Sequence, residues 1–244
     1  MINEIFNIAF ITGLIGATMR MATPIIFATL GEIISERSGV LNLGIEGIML
    51  MGAMTGFLVT YITGSLWVGV IAAALVGMAL ALLMALLAVY LGLSQHVSGL
   101  SITLFSTGLA MFIYRLYIGS PIIPPTVQPF TQVAIPLLSR IPIIGDGLFN
   151  QYLLVYLALL LIPVISLILY KTQAGLKIRT VGENPFAADT VGVNVNLTRT
   201  LCLVAGAAYT HESAAGYQTE GAGQIYVNPY RVSGKGILTH GSDL

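Results

Sequence analysis

Five long apolar runs constrain the fold of this chain more than any other feature. A membrane-spanning helix needs roughly 20 predominantly apolar residues. The runs are Ile5–Ile34, Leu41–Thr63, Leu66–Leu93, Val97–Ile118 and Tyr152–Tyr170. Since backbone polar groups in lipid must bond within their own segment, apolar runs of this length predict helices. The sequence therefore predicts an all-α fold, a polytopic transmembrane bundle with about five full spans.

The composition supports a membrane protein and excludes several other classes. Only 8% of the 244 residues are charged, against about 25% in soluble domains. The net charge is zero, so nucleic acid is not an expected partner, whereas membrane lipid is. One cysteine and three scattered histidines predict neither a disulfide framework nor a metal site. No phosphate-binding loop motif occurs, so we expect no ATP site and no cofactor.

The first apolar run is too long for one straight span, at about 1.5 Å per residue. It contains Pro24, which removes a helical hydrogen bond and commonly kinks a helix. We therefore expect a membrane-associated first part, a bend near Pro24, and a descent to a turn at Glu36-Arg37.

A polar island at residues 171–199 sets the predicted topology. It carries four of the ten basic residues, and basic loops remain in the cytoplasm. Counting back from this island places the turns near 36–39 and 94–96 inside. The loop at 119–151, which holds six prolines, then lies outside.

Within the island, residues 184–192 have the signals of a short helix. Asn184 suits the N-cap and Pro185 the first helical position. Gly192 permits a left-handed stop. Because about two turns of helix are not stable alone in water, this helix needs a surface. That surface is either the base of its own bundle or the groove of a partner, and an ordinary connector helix remains an alternative.

The first 209 residues are expected to form the transmembrane domain. The apolar stretch at 201–209 is too short to span a membrane. Residues 210–244 are polar and rich in glycine, so we expect a poorly ordered tail there.

Polar residues in or near the spans are candidates for a solute path. Asn42 and Glu46 lie one helical turn apart at the inner end of the second run, and Thr103 and Thr107 share one face of the fourth. An ionisable residue in a span suggests function. Alternatively, Glu46 complements the positive helix N-terminus, and the threonines hold helices together.

Glycines are frequent where the second run begins. Gly39, Gly44, Gly47, Gly52 and Gly56 recur within a short stretch. Small residues at such spacing let helices approach closely, and the last two form a GxxxG pair. We therefore expect close helix packing along this part of the second span.

Two segments resemble the permease subunits of ABC transporters. The 172–192 segment is similar to their cytoplasmic coupling loop, in which a Glu-Ala-Ala motif is followed after three residues by glycine. Ala187, Ala188 and Gly192 match that spacing. Residues 36–52, ERSGVLNLGIEGIMLMG, resemble the early motif of the nucleoside and simple-sugar branch, and residues 95–100 resemble the same group.

The resemblance implies the permease subunit of an ATP-driven importer in the bacterial cytoplasmic membrane, with several spans and no ATPase site of its own. The implied partners are an ATP-binding subunit, a second permease subunit and an extracellular substrate-binding lipoprotein. The residues implied to couple to the ATP-binding subunit are Glu183, Asn184, Pro185, Phe186, Ala187, Ala188 and Gly192. Phe186, the one large apolar residue of the short helix, is expected to be buried in that partner.

The implied solute is small and polar, with a nucleoside ahead of a simple sugar and a branched-chain amino acid. Such permeases continue as apolar helices beyond position 200, so this chain is expected to be truncated or altered there. The alternatives are an ion-coupled secondary transporter, which would need ligands for the coupling ion near the midplane, and an intramembrane enzyme that uses Ser98 and His96.

Overall fold

The computed structural model describes residues 8–119, 125, 127, 132–134 and 149–218. Within these residues the chain forms eight α-helices and one pair of short strands. In chain order the elements are α1 (Ile8–Arg37), α2 (Ile45–Thr63), α3 (Leu66–Ala85), α4 (Gln95–Tyr117), β1 (Gln132–Ala134), β2 (Asn150–Tyr152), α5 (Leu153–Lys171), α6 (Gln173–Glu183), α7 (Pro185–Thr190) and α8 (Val195–Gln218).

Five of these helices, α1 to α5, are long and apolar enough to cross a membrane. The prediction of an all-α polytopic bundle with about five spans is therefore confirmed. The strands β1 and β2 form only a three-residue antiparallel ladder that pairs Gln132 with Tyr152. The proline-rich loop at 119–151 falls mostly outside the described residues, and so do residues 219–244.

Some helix ends differ from the predicted ends, because apolar residues next to the helices form turns instead. Helix α2 begins at Ile45 rather than Leu41, because residues 38–44 form a turn in which Gly39 has a φ of 86°. Helix α1 is one helix of 30 residues, and Pro24 lies inside it without ending it. A π-helical turn, Leu86–Tyr90, extends α3, and Gly92 then reverses the chain with a φ of 64°.

Helix α8 lies at the centre of the bundle, where it packs against α1, α2 and α3. Leu203 and Ala207 of α8 are buried in one apolar cluster with Ile48 of α2 and Met84 of α3. The apolar part of α8, 195–208, is shorter than a span, as predicted from its sequence. The helix itself continues to Gln218, so regular backbone extends beyond the apolar stretch.

Glycines allow α2 and α4 to approach closely, as predicted for small residues in this part of the chain. A Cβ atom added to Gly47 would collide with the backbone of Thr103, and one added to Gly99 would lie 2.7 Å from the Cβ of Leu43. Gly52 and Gly56 are buried in α2. Helix α5 packs on the other side of α1, through a small cluster that includes Leu30, Ile165 and Leu169.

Candidate functional site

The 172–192 segment folds into two helices, α6 and α7, joined at Asn184. Thr172 caps α6, because its hydroxyl oxygen accepts a hydrogen bond of 3.1 Å from the backbone N–H of Gly175. Gly175 also lies directly against the last carbonyl groups of α5, where no Cβ would fit. Helix α6 was missed by the sequence analysis, although Thr172, a residue type favoured at the N-cap, was a signal that could have predicted its start.

The local signals for α7 are confirmed by its geometry. The Asn184 side chain accepts a hydrogen bond of 3.0 Å from the N–H of Ala187, and Pro185 occupies the first helical turn. Gly192 stops the chain with a φ of 84°. Ala188 is 2% exposed, so one face of α7 rests on its own bundle.

The other side of α7 is open and carries one large apolar side chain, with a second just after the helix. Phe186 is 85% exposed and Val191 is 77% exposed. Beside them lies an open groove of about 470 Å³, lined by Phe186, Asp189, Val193 and neighbouring residues of the loop that leads to α8. A large aromatic side chain that is almost fully exposed on a capped helix is well placed to anchor a partner.

Residues 38–44 form a turn, here called the 38–44 turn, which packs against α6 of the 172–192 segment. Gly182 of α6 lies against the carbonyl oxygen of Arg37, so that an added Cβ would collide with it. A Cβ on Gly39 would lie 3.3 Å from the Cα of Gly182. The Arg199 guanidinium of α8 donates a hydrogen bond of 3.2 Å to the carbonyl of Ser38.

The same turn is bonded to two spanning helices. The Gln95 side chain, at the start of α4, accepts a hydrogen bond of 2.9 Å from the N–H of Leu41 and donates one of 3.4 Å to the carbonyl of Gly39. The Glu32 carboxylate of α1 accepts a hydrogen bond of 2.9 Å from the N–H of Asn42. The 38–44 turn therefore lies against α6 and is hydrogen-bonded to α1, α4 and α8.

The four residues predicted for a solute path occupy two kinds of environment. Asn42 is 3% exposed and its side chain accepts a hydrogen bond of 3.3 Å from the N–H of Gly44. Thr103 donates a hydrogen bond of 3.4 Å to the carbonyl of Leu43, so Thr103 joins α4 to the 38–44 turn. Glu46 is exposed in the first turn of α2, and Thr107 is half-buried one turn beyond Thr103.

These contacts support a packing role for Asn42 and Thr103, and the first-turn position of Glu46 suits the helix N-terminus. Their role in a solute path stays a prediction. Glu32, Gln95 and Arg199 tie the 38–44 turn to three helices. None of these contacts was predicted from the sequence.

Removing the α7 cap is expected to loosen that helix alone. Asn184→Ala deletes the side-chain acceptor for the Ala187 N–H, at a cost of about 1 kcal/mol. We expect amide hydrogen exchange at residues 187–190 to accelerate about fivefold. Asn194→Ala is the matched control, because Asn194 caps α8 with an equivalent bond of 3.0 Å to the Leu197 N–H. Equal exchange at 187–190 in the two variants would contradict the assigned cap.

An all-α bundle with five candidate spans defines an integral membrane protein. The chain belongs to the family described as the permease component of the branched-chain amino acid transport system, whose model matches residues 14–214. No solved structure matches it.

Curated relatives carry the names of ABC transporter permeases. The chain is 43% identical to a putative glucose ABC transporter permease protein of Haloferax volcanii, over 85% of this chain and 64% of the relative. It is 38% identical to a guanosine ABC transporter permease protein of Bacillus subtilis, over 75% and 59%. It is 36% identical to a nucleoside ABC transporter permease protein of Lactococcus lactis, over 71% and 57%. The chain thus spans about three fifths of these relatives.

Proposed function

We propose that this chain is the permease subunit of an ATP-driven importer, and that the 172–192 segment is where an ATP-binding subunit docks. The observation that carries this proposal is the geometry of α7. Its cap and its buried Ala188 hold the helix on the bundle, while Phe186 projects 85% exposed on the other side. An exposed apolar anchor of this size is favoured where a partner covers it.

The 38–44 turn connects this docking site to the membrane-spanning helices. Closure of the ATP-binding subunits moves α6 and α7, and the close contacts of Gly182 with the Arg37 carbonyl and with Gly39 pass the motion to the end of α1 and to the 38–44 turn. The bonds of that turn to Glu32 and Gln95 pass it on to α1 and α4. Coupling of this kind requires that the two states of the transporter differ in the position of these contacts.

For the solute we propose a nucleoside. Two of the relatives described above are named for guanosine or nucleoside transport, and the motif at 36–52 resembles that branch. A simple sugar is the second candidate, because the relative that shares 43% identity is named as a putative glucose permease. A second permease subunit and a substrate-binding lipoprotein on the outer face would complete the complex.

The test is uptake by the complete complex in proteoliposomes. We expect labelled guanosine to accumulate when ATP is supplied to the ATP-binding subunit, with glucose as the competing solute. Accumulation should persist when ionophores collapse the proton and sodium gradients. Uptake that does not require ATP but is abolished by the ionophores would contradict the proposal and identify a secondary transporter instead. If ATP drove the uptake of glucose but not of guanosine, the proposed solute would be wrong and the proposed mechanism would stand.

A further inference from the structure

Two arginines meet beside one aromatic ring where α5 ends. The guanidinium carbon of Arg179, in α6, lies 5.3 Å from the centre of the Tyr170 ring. The guanidinium carbon of Arg37, the last residue of α1, lies 5.8 Å from the same ring. Contacts of this length are cation–π interactions, which each contribute about 0.5–1 kcal/mol at exposed sites. Three helices therefore place two positive charges around one aromatic ring.

Neither charge is neutralised by the part of the chain that the structure describes. No ion pair joins Arg37 or Arg179 to a carboxylate there, and the Nε of Arg179 is buried without a hydrogen-bond partner among the described residues. Glu183 lies four residues after Arg179 on α6, a spacing at which helical ion pairs form, yet it does not pair with it. Two guanidinium groups beside one ring, with no carboxylate partner among the described residues, favour the binding of an anion.

The position of the cluster indicates the source of that anion. Tyr170 and Lys171 end a span, which puts them at the level of the lipid headgroups. Tyrosine is enriched at that level, and the Tyr170 side chain is 48% exposed. Leu176 of α6 is 54% exposed, so α6 offers an apolar side chain close to the same boundary. Phosphate oxygens of anionic phospholipids are present at high density there.

We propose that Arg37 and Arg179, backed by Tyr170, bind the phosphate group of an anionic phospholipid. The guanidinium fork suits phosphate oxygens better than an ammonium does. The negative charge of a bound phosphate offsets the two positive charges beside the ring. Because Arg37 ends α1 and Arg179 belongs to α6, such a lipid holds the 172–192 segment against the membrane surface, independently of which solute is carried.

The test compares thermal unfolding of the full chain in vesicles of phosphatidylcholine with that in vesicles containing phosphatidylglycerol, followed by circular dichroism. We expect phosphatidylglycerol to raise the unfolding midpoint of the unaltered protein by about 5 °C. Arg179→Gln and Arg37→Gln should each lose at least half of that shift. Lys171→Gln should keep it, because Lys171 is an exposed cation beside Tyr170 that contacts neither the ring nor Arg179.

Because each variant is compared with itself in phosphatidylcholine, a general loss of stability does not imitate the result, and the two arginine variants test the site independently. Equal lipid shifts in the unaltered protein and in both arginine variants would overturn the proposal. A second series, in neutral detergent with rising inorganic phosphate, separates the sources. Stabilisation there that depends on both arginines, with none by phosphatidylglycerol, would contradict the lipid assignment and identify free phosphate as the ligand.

Discussion

Phe186→Asp is expected to abolish assembly of this chain with an ATP-binding subunit. Burial of a phenylalanine side chain contributes about 1.5–3 kcal/mol, and a carboxylate forced into an apolar pocket costs more. The affinity should therefore fall at least about 100-fold. ATP-driven uptake should fall to background with it. Co-purification of the two subunits, followed by uptake in proteoliposomes, measures both effects.

Two controls make this prediction specific. Phe186→Leu keeps an apolar anchor and should retain most of the assembly. Thr63→Asp adds the same negative charge to an exposed position at the far end of α2, outside the 172–192 segment, and should leave assembly near its normal level. If Phe186→Asp assembled and transported as well as the unaltered chain, α7 would not be the docking helix.

Gly182→Val is expected to reduce transport while leaving the docking of the ATP-binding subunit intact. The first carbon of the new side chain collides with the carbonyl oxygen of Arg37, and overpacking of this kind costs about 1–3 kcal/mol. The cheapest relief is a movement of α6 away from the 38–44 turn. Since α7 keeps its cap and Phe186 remains exposed, the ATP-binding subunit should still assemble and hydrolyse ATP, while uptake falls about tenfold or more.

Gly108→Val is the matched control for this variant. Gly108 lies within α4, where an added Cβ meets no atom within 4 Å, so the same substitution should leave uptake nearly unchanged. Assembly, ATP hydrolysis and uptake are measured on the same preparations. Loss of all three in Gly182→Val would indicate general misfolding, and normal uptake would show that the contact with Arg37 transmits nothing.

Short-range signals allowed α7 to be predicted from the sequence, whereas α6 was missed. The α7 signals lie within nine residues: an asparagine cap, a proline in the first turn and a glycine stop. Helix α6 mixes charged and apolar residues, so hydropathy did not reveal it. The same limit applies to the start of α2, because the 38–44 turn contains Leu41 and Leu43 and reads as a continuation of the apolar run.

The contacts that hold the candidate site together could not be predicted from local patterns. The bond between Gln95 and Leu41 joins residues 54 positions apart, and the bond between Arg199 and Ser38 joins residues 161 positions apart. Neither residue of a pair indicates its partner in the sequence. The glycines at 39 and 44 were recognised as signals of close approach, but which helix approaches them depends on the packing of the whole bundle.

The central claim, that α7 faces the compartment in which ATP is hydrolysed, is tested most directly by its accessibility. Asp189→Cys introduces a thiol at an exposed position of α7, and Cys202, the only native cysteine, is buried and can be replaced by serine. In cells that produce this chain without the ATP-binding subunit, which would cover the groove, a membrane-impermeant maleimide should label this variant in inverted vesicles and leave it unlabelled in intact cells. Labelling in intact cells would place α7 on the outer face and contradict the account.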